Sequence, residues 1–374
     1  MTVINAGDLG YMKNALALAS RGLGTTAPNP SVGCVIVNDG VVVGRGWTQP
    51  SGRPHAETQA LRVAGLSARG ATAYVSLEPC CHHAQTPPCT DAFIESGVSR
   101  VVIASSDPDG RVDGGGIAAL RAAGVDVESG VLSEDSSALN AGFFKVLTHK
   151  MPFVALKSAT SLDGRIALKN GESEWITGYG ARNYGHLLRS QYDAILVGSG
   201  TVDADDPSLT CRLPGIKGGS PYQPVRVVLD RRLRISETSK LVSTSAIIPT
   251  WILTGANADS VKVGSLRNMG VEIFAVTETC DAAFARAALA LLAKRGVTRV
   301  LIEGGGQVAA SFLSEGLIDR IYAFRAPIVV GGDGRVGVGA LELSQLSDAP
   351  RFEISDIRSF GSDVLEILDR EPTF

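Results

Sequence analysis

The chain has 374 residues, 35 lysines and arginines against 38 acidic residues, and a formal net charge of −3. This length predicts two domains of ordinary size. The charge balance lacks the basic excess of a nucleic-acid backbone binder, so we expect small phosphorylated molecules as partners.

The N-terminal segment, residues 1–22, carries a helical pattern and an acidic residue, so we expect no signal peptide. No apolar run reaches the roughly twenty residues that span a bilayer. Three of the six cysteines lie between Cys80 and Cys89. This crowding is typical of ligands or core thiols rather than of a secreted disulfide framework. We therefore expect a cytoplasmic protein without a membrane partner.

The first half of the chain alternates helical and strand patterns. A first helix, capped by Asp8 and ending near Gly22, precedes two apolar runs joined by the hairpin sequence Asn38-Asp39-Gly40. One further helix is predicted over 136–147, ending near His149. The remaining patterns are helical at 55–65, 90–97 and 116–124 and strand-like at 72–78, 100–105 and 125–129. This order predicts a layered α/β sheet.

A short polar break at 148–152, closed by Pro152, predicts a domain boundary at about residue 150. We therefore expect domains at 1–150 and 151–374. Strand patterns in the second are at 153–159, 193–199, 225–230, 249–255, 271–276, 299–305 and 320–330, with helical patterns such as 282–296 and 307–317. They predict a mostly parallel sheet finished by C-terminal strands.

A candidate zinc centre lies in the first half. His55, Cys80 and Cys89 are ligands of the type that catalytic zinc uses, leaving a fourth position for water. Glu57, two residues after His55, could carry protons without ligating the metal. The order fits the H-x-E and P-C-x-x-C signature of zinc nucleobase deaminases, except that the second cysteine follows after eight residues. Pro79 predicts a helical first turn that would favour a Cys80 thiolate.

Other interpretations of this cluster stay open on the residues alone. Cys81, His82 and His83 are competing ligands, and the ion could be purely structural. The ordered set with Glu57 favours a catalytic centre.

Two segments resemble the bifunctional deaminase/reductases of riboflavin biosynthesis: "PNPSVG" at 28–33 and the long cysteine loop "EPCCHHAQTPPC" at 78–89. This family removes an amine from a pyrimidine ribosylamino phosphate and then reduces the ribosyl group. The resemblance implies a cytidine-deaminase-like α/β/α domain followed by a dihydrofolate-reductase-like α/β domain. It also implies that Asn29, His82 and Asp107 bind the deaminase substrate.

The first half departs from the family's pattern at three positions. Thr48 stands where His is usual, Gln85 where Lys or Arg is usual, and Asp109 where Asn is usual. A phosphate needs charge-assisted donors, so we hypothesise that Arg53 or Arg111 supplies the lost positive charge. The alternative function is a reductase with a zinc-bound but catalytically impaired deaminase domain.

Four segments of the second half follow the same family's order: "LKSATSLDGRIA", "GESEWITG", "HLLRSQYDAILVGSGTVDADDPSLTCR" and "RVLIEGGGQVAASFL". The first of them alone could be an ordinary hairpin. The resemblance implies an NADPH-dependent reductase. It assigns substrate binding to Lys157, Ser173, Arg189, Leu209, Arg212 and Glu303, and cofactor binding to Ala159, Trp175, Thr201, Asp205, Gly304, Gly305 and Gly306.

The residues themselves support part of this assignment. Gly304 to Gly306 lie between an apolar strand and a helix, where backbone amides can approach a pyrophosphate. The segment is not G-x-G-x-x-G, so the usual Rossmann interpretation is not supported. We hypothesise that Arg231 or Arg232 contacts the 2′-phosphate of NADPH.

Two alternative functions remain open, a free-base or nucleoside deaminase and a metal-binding interaction protein. A homo-oligomer is implied by the resemblance alone.

Overall fold

The computed structural model describes residues 6–83, 87–213, 223–278 and 280–370. Two compact units, Met1–Lys150 and Met151–Phe374, divide the chain. Within the described ranges, no helix has both the length and the apolar character needed to cross a membrane. All six cysteines are described, and none forms a disulfide.

The first unit is built on a mixed five-stranded sheet of order β2-β1-β3-β4-β5 among the described residues. β1 is antiparallel to β2 and β3, whereas β3, β4 and β5 are parallel. The strands are β1 Gly33–Asn38, β2 Val41–Trp47, β3 Thr72–Leu77, β4 Arg100–Ser105 and β5 Asp126–Ser129. The helices are α1 Ala6–Ala19, α2 Ala56–Ala64, α3 Cys89–Ser96, α4 Gly115–Ala122, α5 Ser133–Leu139 and α6 Ala141–His149.

Helices cover both faces of this sheet. Because successive side chains of a strand point to opposite faces, each strand contributes to the core on either side. In β1, Ile36 packs in a core with Ala60 of α2 and Phe93 of α3. Its neighbour Val35 packs on the other face with Met12 of α1. The predicted α/β/α layering is confirmed.

Two local predictions in this unit are wrong. Asp8 does not cap the first helix but lies inside α1, where its buried carboxylate accepts hydrogen bonds from Tyr74 Oη at 2.8 Å and Arg100 Nη1 at 2.8 Å. The helix predicted over 136–147 is two helices that break at Asn140. The Asn140 side chain accepts from Ser31 N at 2.9 Å and donates to Ser31 O at 3.1 Å. This tertiary pairing takes precedence over a continuous helix.

The second unit is built on a nine-stranded sheet of order β11-β10-β9-β8-β12-β6-β13-β16-β15 in the described ranges. Its strands, with the small β7–β14 ladder beside it, are β6 Phe153–Thr160, β7 Arg165–Ala167, β8 Ala194–Gly198, β9 Val225–Leu229, β10 Thr250–Gly255, β11 Glu272–Val276, β12 Arg299–Ile302, β13 Arg320–Arg325, β14 Arg335–Val336, β15 Phe352–Phe360 and β16 Asp363–Arg370. Going across the sheet from β11 to β13, every neighbouring pair of strands is parallel. At the other edge, β16 pairs antiparallel with β13, and β15 pairs antiparallel with β16.

Helices again lie on both faces of this sheet: α7 Tyr179–Ser190, α8 Ser199–Asp205, α9 Lys240–Ser243, α10 Ser260–Asn268, α11 Asp281–Lys294 and α12 Gly306–Ser314. Leu188 of α7 and Leu266 of α10 belong to one core, and Leu289 of α11 and Phe312 of α12 to the other. The strand predicted over 320–330 ends early, at Arg325. The mostly parallel sheet with C-terminal antiparallel strands agrees with the predicted fold class.

Candidate active sites

The predicted zinc ligands converge in the first unit. His55 precedes the first residue of α2, Cys80 follows β3, and Cys89 is the first residue of α3. Their ligand atoms all lie within 4.8 Å of one another. His55 Nδ1 is 3.3 Å from Cys89 Sγ and 3.7 Å from Cys80 Sγ. Two soft sulfurs and one imidazole at these distances fit a zinc ion.

Cys80 does not begin a helix, so the predicted helical turn at Pro79 is wrong. It lies in an irregular loop, and the helix start belongs to Cys89. The Cys80 thiolate is instead stabilised by direct hydrogen bonds. Those from Cys89 and His55 lower the pKa of Cys80 to about 4 despite partial burial. A ligand that is already ionised near neutral pH binds zinc without first losing a proton.

Two of the three competing ligands, Cys81 and His83, contact other groups. Cys81 Sγ lies 3.7 Å from the Arg111 carbonyl oxygen, and His83 Nε2 lies 3.9 Å from Asp91 Oδ2. His82 is partly buried, and its Nδ1 atom is buried without a hydrogen-bond partner.

Glu57, the second residue of α2, lies beside the ligand cluster with 3 % of its surface exposed. Burial raises the pKa of Glu57, and the carboxyl interacts with the Cys89 thiol. A carboxyl with a raised pKa exchanges protons closer to neutral pH than an ordinary one. The geometry therefore provides a proton carrier next to the three ligands.

Asn29 lies against the segment that leads into His55. Asn29 Nδ2 donates to Ser51 O at 3.4 Å. Gly52 lies against the same side chain, and a β-carbon at Gly52 would come within 2.0 Å of Asn29 Nδ2. Thr48 is buried, and its Oγ1 accepts from Val32 N at 2.9 Å, so this substituted position joins the two strand ends.

The loop after β4 carries two of the other singled-out positions. Asp107 Oδ1 accepts from Asp109 N at 2.9 Å, and Asp109 Oδ2 accepts from Arg111 Nη2 at 2.5 Å. Burial raises the pKa of Asp107 to about 6. Because Arg111 already pairs with Asp109, its charge is largely neutralised within the loop, which weakens the hypothesis that Arg111 replaces a phosphate donor. Gln85, the third substituted position, lies outside the described residues.

Glu78 is a residue that the sequence interpretation missed. It is 3 % exposed, and its carboxylate accepts from the backbone amides of Asp107, Gly114 and Ile117 at 3.1 to 3.4 Å. It therefore fixes the loop that carries Asp107 to the segment that carries Cys80. A buried acid directly before the Pro-Cys pair was the available signal.

The second unit contains a cavity of about 1000 Å³ at the carboxyl ends of its parallel strands. Segments that follow β6, β8, β9 and β12 line it, which is where open α/β sheets bind their ligands. The predicted residues that line it are Lys157, Ala159, Ser173, Thr201, Asp205, Arg231, Arg232, Glu303, Gly304, Gly305 and Gly306.

Four predicted residues do not line the cavity. Arg189 lies behind it, and its Nε and Nη2 atoms donate to the two carboxylate oxygens of the lining residue Glu303, at 2.6 and 2.9 Å. Leu209 is buried in a hydrophobic core. Trp175 is 64 % exposed, and the Arg182 guanidinium lies 4.5 Å from its ring centre. The fourth is Arg212, an exposed residue.

Charge explains the state of Glu303. Burial opposes its ionisation, but Arg189 beside it and Lys157 nearby lower the pKa of Glu303 to about 2. The carboxylate is therefore fully ionised at neutral pH, and it binds Arg189 behind the cavity wall.

The glycine turn begins α12 at the cavity. A β-carbon at Gly306 would come within 2.6 Å of Val336 O, so this position has no room for a side chain. The Gly305 amide already donates to Thr201 Oγ1 at 3.2 Å. The turn thus joins two of the predicted cofactor positions.

Sequence interpretation missed two further lining cations, Arg234 and Arg335. Arg234 Nη2 donates to Ser199 Oγ at 3.3 Å, which couples the arginine-rich segment after β9 to the end of β8. The repeated arginines of "LDRRLR" were the signal for Arg234, whereas nothing in the sequence marked Arg335.

Two family models match separate parts of the chain. Residues 7–105 match the zinc-binding region of cytidine and deoxycytidylate deaminases, and residues 152–365 match the RibD C-terminal domain. The chain is 41% identical to riboflavin biosynthesis protein RibD of Bacillus amyloliquefaciens, covering 95% of this chain and 94% of that protein. It is 40% identical to RibD of Escherichia coli K12, covering 95% and 97%.

Solved structures are similar over nearly the whole length. Acinetobacter baumannii RibD matches with a TM-score of 0.87 and 38% identity, covering 98% of this chain and 99% of that one. A Thermotoga maritima protein described as a diaminohydroxyphosphoribosylaminopyrimidine deaminase/5-amino-6-(5-phosphoribosylamino)uracil reductase matches with a TM-score of 0.85 and 36% identity, covering 97% and 99%.

Proposed function

Because the chain belongs to the RibD family of riboflavin-biosynthesis proteins, an enzyme family with a zinc-binding deaminase half and a reductase half, we propose two successive reactions for it. The first is hydrolytic deamination of 2,5-diamino-6-ribosylamino-4(3H)-pyrimidinone 5′-phosphate. The second is NADPH-dependent reduction of the ribosyl group to ribityl. One observation carries the proposal: the same chain holds a His/Cys/Cys cluster with Glu57 buried beside it and a cavity of about 1000 Å³ lined by cations.

In the deaminase half, His55, Cys80 and Cys89 would hold zinc. The ion, when bound, supplies Lewis acidity that polarises water near neutral pH. Glu57 accepts a proton from water and delivers it to the leaving amine, so that water oxygen replaces nitrogen and ammonia leaves. Asn29 orients the pyrimidine edge, and His82 and Asp107 contribute further polar contacts to the substrate.

In the reductase half, the cofactor supplies the hydride and the protein supplies orientation and charge. Lys157 lines the cavity and places positive charge for the sugar phosphate. By the family resemblance, Arg189, which Glu303 binds, and the exposed Arg212 act from outside the cavity lining. Ser173 completes the substrate contacts at the cavity wall, whereas the role that the family resemblance gives to Leu209 would have to come through its backbone, because its side chain is buried in a core. Ala159, Thr201, Asp205 and the turn Gly304 to Gly306 hold the cofactor in the cavity. The family resemblance adds the exposed Trp175, which lies outside the cavity lining.

We propose that the arginine-rich segment after β9 gives preference for NADPH over NADH. Arg231 and Arg232 line the cavity, and a guanidinium can bind a phosphate with two hydrogen bonds. Arg231→Ala and Arg232→Ala should lower kcat/KM for NADPH while leaving that for NADH nearly unchanged. An unchanged NADPH/NADH ratio in both variants would contradict this assignment.

Mass spectrometry of the products tests the two reactions. The zinc-loaded protein should convert the amine to an oxo group without NADPH and should then reduce the ribosyl group when NADPH is added. Glu57→Gln should lose the first conversion and still reduce substrate that has been deaminated beforehand. Cys89→Ser should lose bound zinc, measured as metal content per chain. Absence of deamination by zinc-loaded wild type would contradict the first reaction.

The alternative of a reductase with an impaired deaminase domain is not favoured. The relatives match across both halves, and the ligand set with Glu57 is complete.

Two further proposals rest on family membership: a cytoplasmic location and a homo-oligomer. The substrate is a small phosphorylated pyrimidine rather than a nucleic acid. Light scattering of the purified protein at several concentrations tests the oligomer.

A further inference from the structure

A continuous set of polar contacts leads from the cavity wall to an exposed arginine. It begins at Glu303, which binds Arg189, and Arg189 Nη1 donates to the Thr210 carbonyl oxygen at 2.9 Å. The same carbonyl lies 3.1 Å from His186 Nδ1. The other ring nitrogen of His186 lies 3.5 Å from Arg212 Nη2. No role for His186 followed from the sequence motifs.

The partners of His186 define which of its nitrogens carries the proton. A carbonyl oxygen can only accept, so Nδ1 must donate to Thr210 O. In the neutral ring, Nε2 then has a lone pair and can accept a hydrogen bond from the Arg212 guanidinium. Burial, followed by the charges of Arg189 and Arg212, lowers the pKa of His186, which agrees with a neutral ring.

A second contact ties the arginine's segment to the same helix turn. Cys211 Sγ donates to the His186 carbonyl oxygen at 3.2 Å. The backbone before Arg212 is thus held on α7, while the Arg212 side chain itself is exposed. A long exposed arginine loses about 2 kcal/mol of rotamer freedom when it is fixed for binding, so a preformed contact lowers the cost of recruiting it.

We propose that His186 is a positioning residue that orients Arg212 toward the phosphate of the reductase substrate. The inference rests on the proposed role of Arg212. His186 itself does not contact the substrate: it places the guanidinium through Nε2 and takes its own orientation from Thr210 through Nδ1. The effect belongs to binding of the sugar phosphate and not to hydride transfer.

A double-mutant cycle on the zinc-loaded full chain tests this inference. Steady-state reduction of pre-deaminated substrate is measured for wild type, His186→Phe, Arg212→Ala and the double variant. His186→Phe should raise the substrate KM about tenfold, the effect of about 1.4 kcal/mol, with kcat and the KM for NADPH nearly unchanged. In the Arg212→Ala background, His186→Phe should add nothing, because both changes remove one interaction.

His186→Gln is the matched rescue variant, since its amide can donate to Thr210 O and accept from Arg212. It should recover most of the lost affinity. Equal KM values for His186→Phe and wild type, alongside a raised KM for Arg212→Ala, would overturn the inference alone. Additive effects in the cycle would also overturn it, by indicating a separate role for His186. An unchanged KM for Arg212→Ala would overturn the proposed role of Arg212 together with the inference.

Discussion

Replacing Glu303 by glutamine should destabilise the second unit by about 3 kcal/mol at neutral pH. The change keeps the shape of the side chain but removes the carboxylate that binds Arg189 at 2.6 and 2.9 Å. The pKa of Glu303 falls from an ordinary 4.5 to about 2. One pKa unit corresponds to about 1.36 kcal/mol, so the ionised form gains about 3 kcal/mol in the folded protein.

The sign of the pH dependence follows from the lowered pKa. The unfolded chain binds a proton at Glu303 more readily than the folded one, so the stabilisation is complete above about pH 4.5 and is lost as the pH falls toward about 2. The difference between wild type and Glu303→Gln should therefore be constant from pH 6 to 8. By about pH 3 it should have fallen by more than half.

Urea unfolding in a Trp47→Phe background measures this difference, because the remaining tryptophans, Trp175 and Trp251, both lie in the second unit. Glu315→Gln is the matched control. Its partner Arg286 is 55 % exposed, and Glu315 is 30 % exposed, so its loss should cost less than about 1 kcal/mol. Equal stabilities of Glu303→Gln and wild type at pH 7, or a difference that does not shrink in acid, would refute the reasoning.

Three further outcomes are expected. Asp107→Asn should raise the free energy of unfolding by about 1–2 kcal/mol at pH 8. Burial raises the pKa of Asp107 to about 6, so ionisation of the carboxyl above that pH costs stability, and the neutral amide avoids this cost. Urea titrations should show a smaller gain at pH 4 than at pH 8. Gly52→Ala should raise the KM of the deaminase substrate by displacing Asn29, whereas Gly40→Ala, where a β-carbon meets nothing, should not; equal KM values would argue against a binding role for Asn29. Gly306→Ala should weaken NADPH binding roughly tenfold, because its β-carbon would lie 2.6 Å from a backbone oxygen. A fluorescence titration measures this affinity, and unchanged binding would contradict the assignment of the glycine turn to the cofactor site.

Local patterns predicted the fold class well. The Asp39-Gly40 turn has positive φ at both residues, 48° and 79°, as its sequence indicates, and it connects β1 to β2. Strand and helix alternation predicted both sheets, because each element carries its own periodicity. The spacing of His55 and Glu57 likewise predicted that a zinc ligand and a proton carrier lie close together, since two residues at the beginning of one helix cannot lie far apart.

Features that depend on distant partners were not predictable. Asp8 resembles a helix cap in sequence, but its partners Tyr74 and Arg100 are 66 and 92 residues away. The break at Asn140 depends on Ser31, 109 residues away. His186 meets Arg212 only because a turn brings residues 26 positions apart together. No local pattern contains this information, since the energy of each contact arises only after the chain has packed.

The two hydrogen bonds between Asn140 and Ser31 constrain the order of events during synthesis of the first unit. They join the segment next to Asn29 to the break between α5 and α6, which is made more than a hundred residues later. The ribosome must therefore release almost all of the first unit before this loop can acquire its final anchor. N-terminal segments emerge first, so the strands β1 to β4 are available before Asn140 is synthesised, whereas the domain folds as a unit only once this later segment has emerged. The loop that carries Asn29, the proposed pyrimidine-binding residue, thus acquires this anchor only when its own domain is nearly finished.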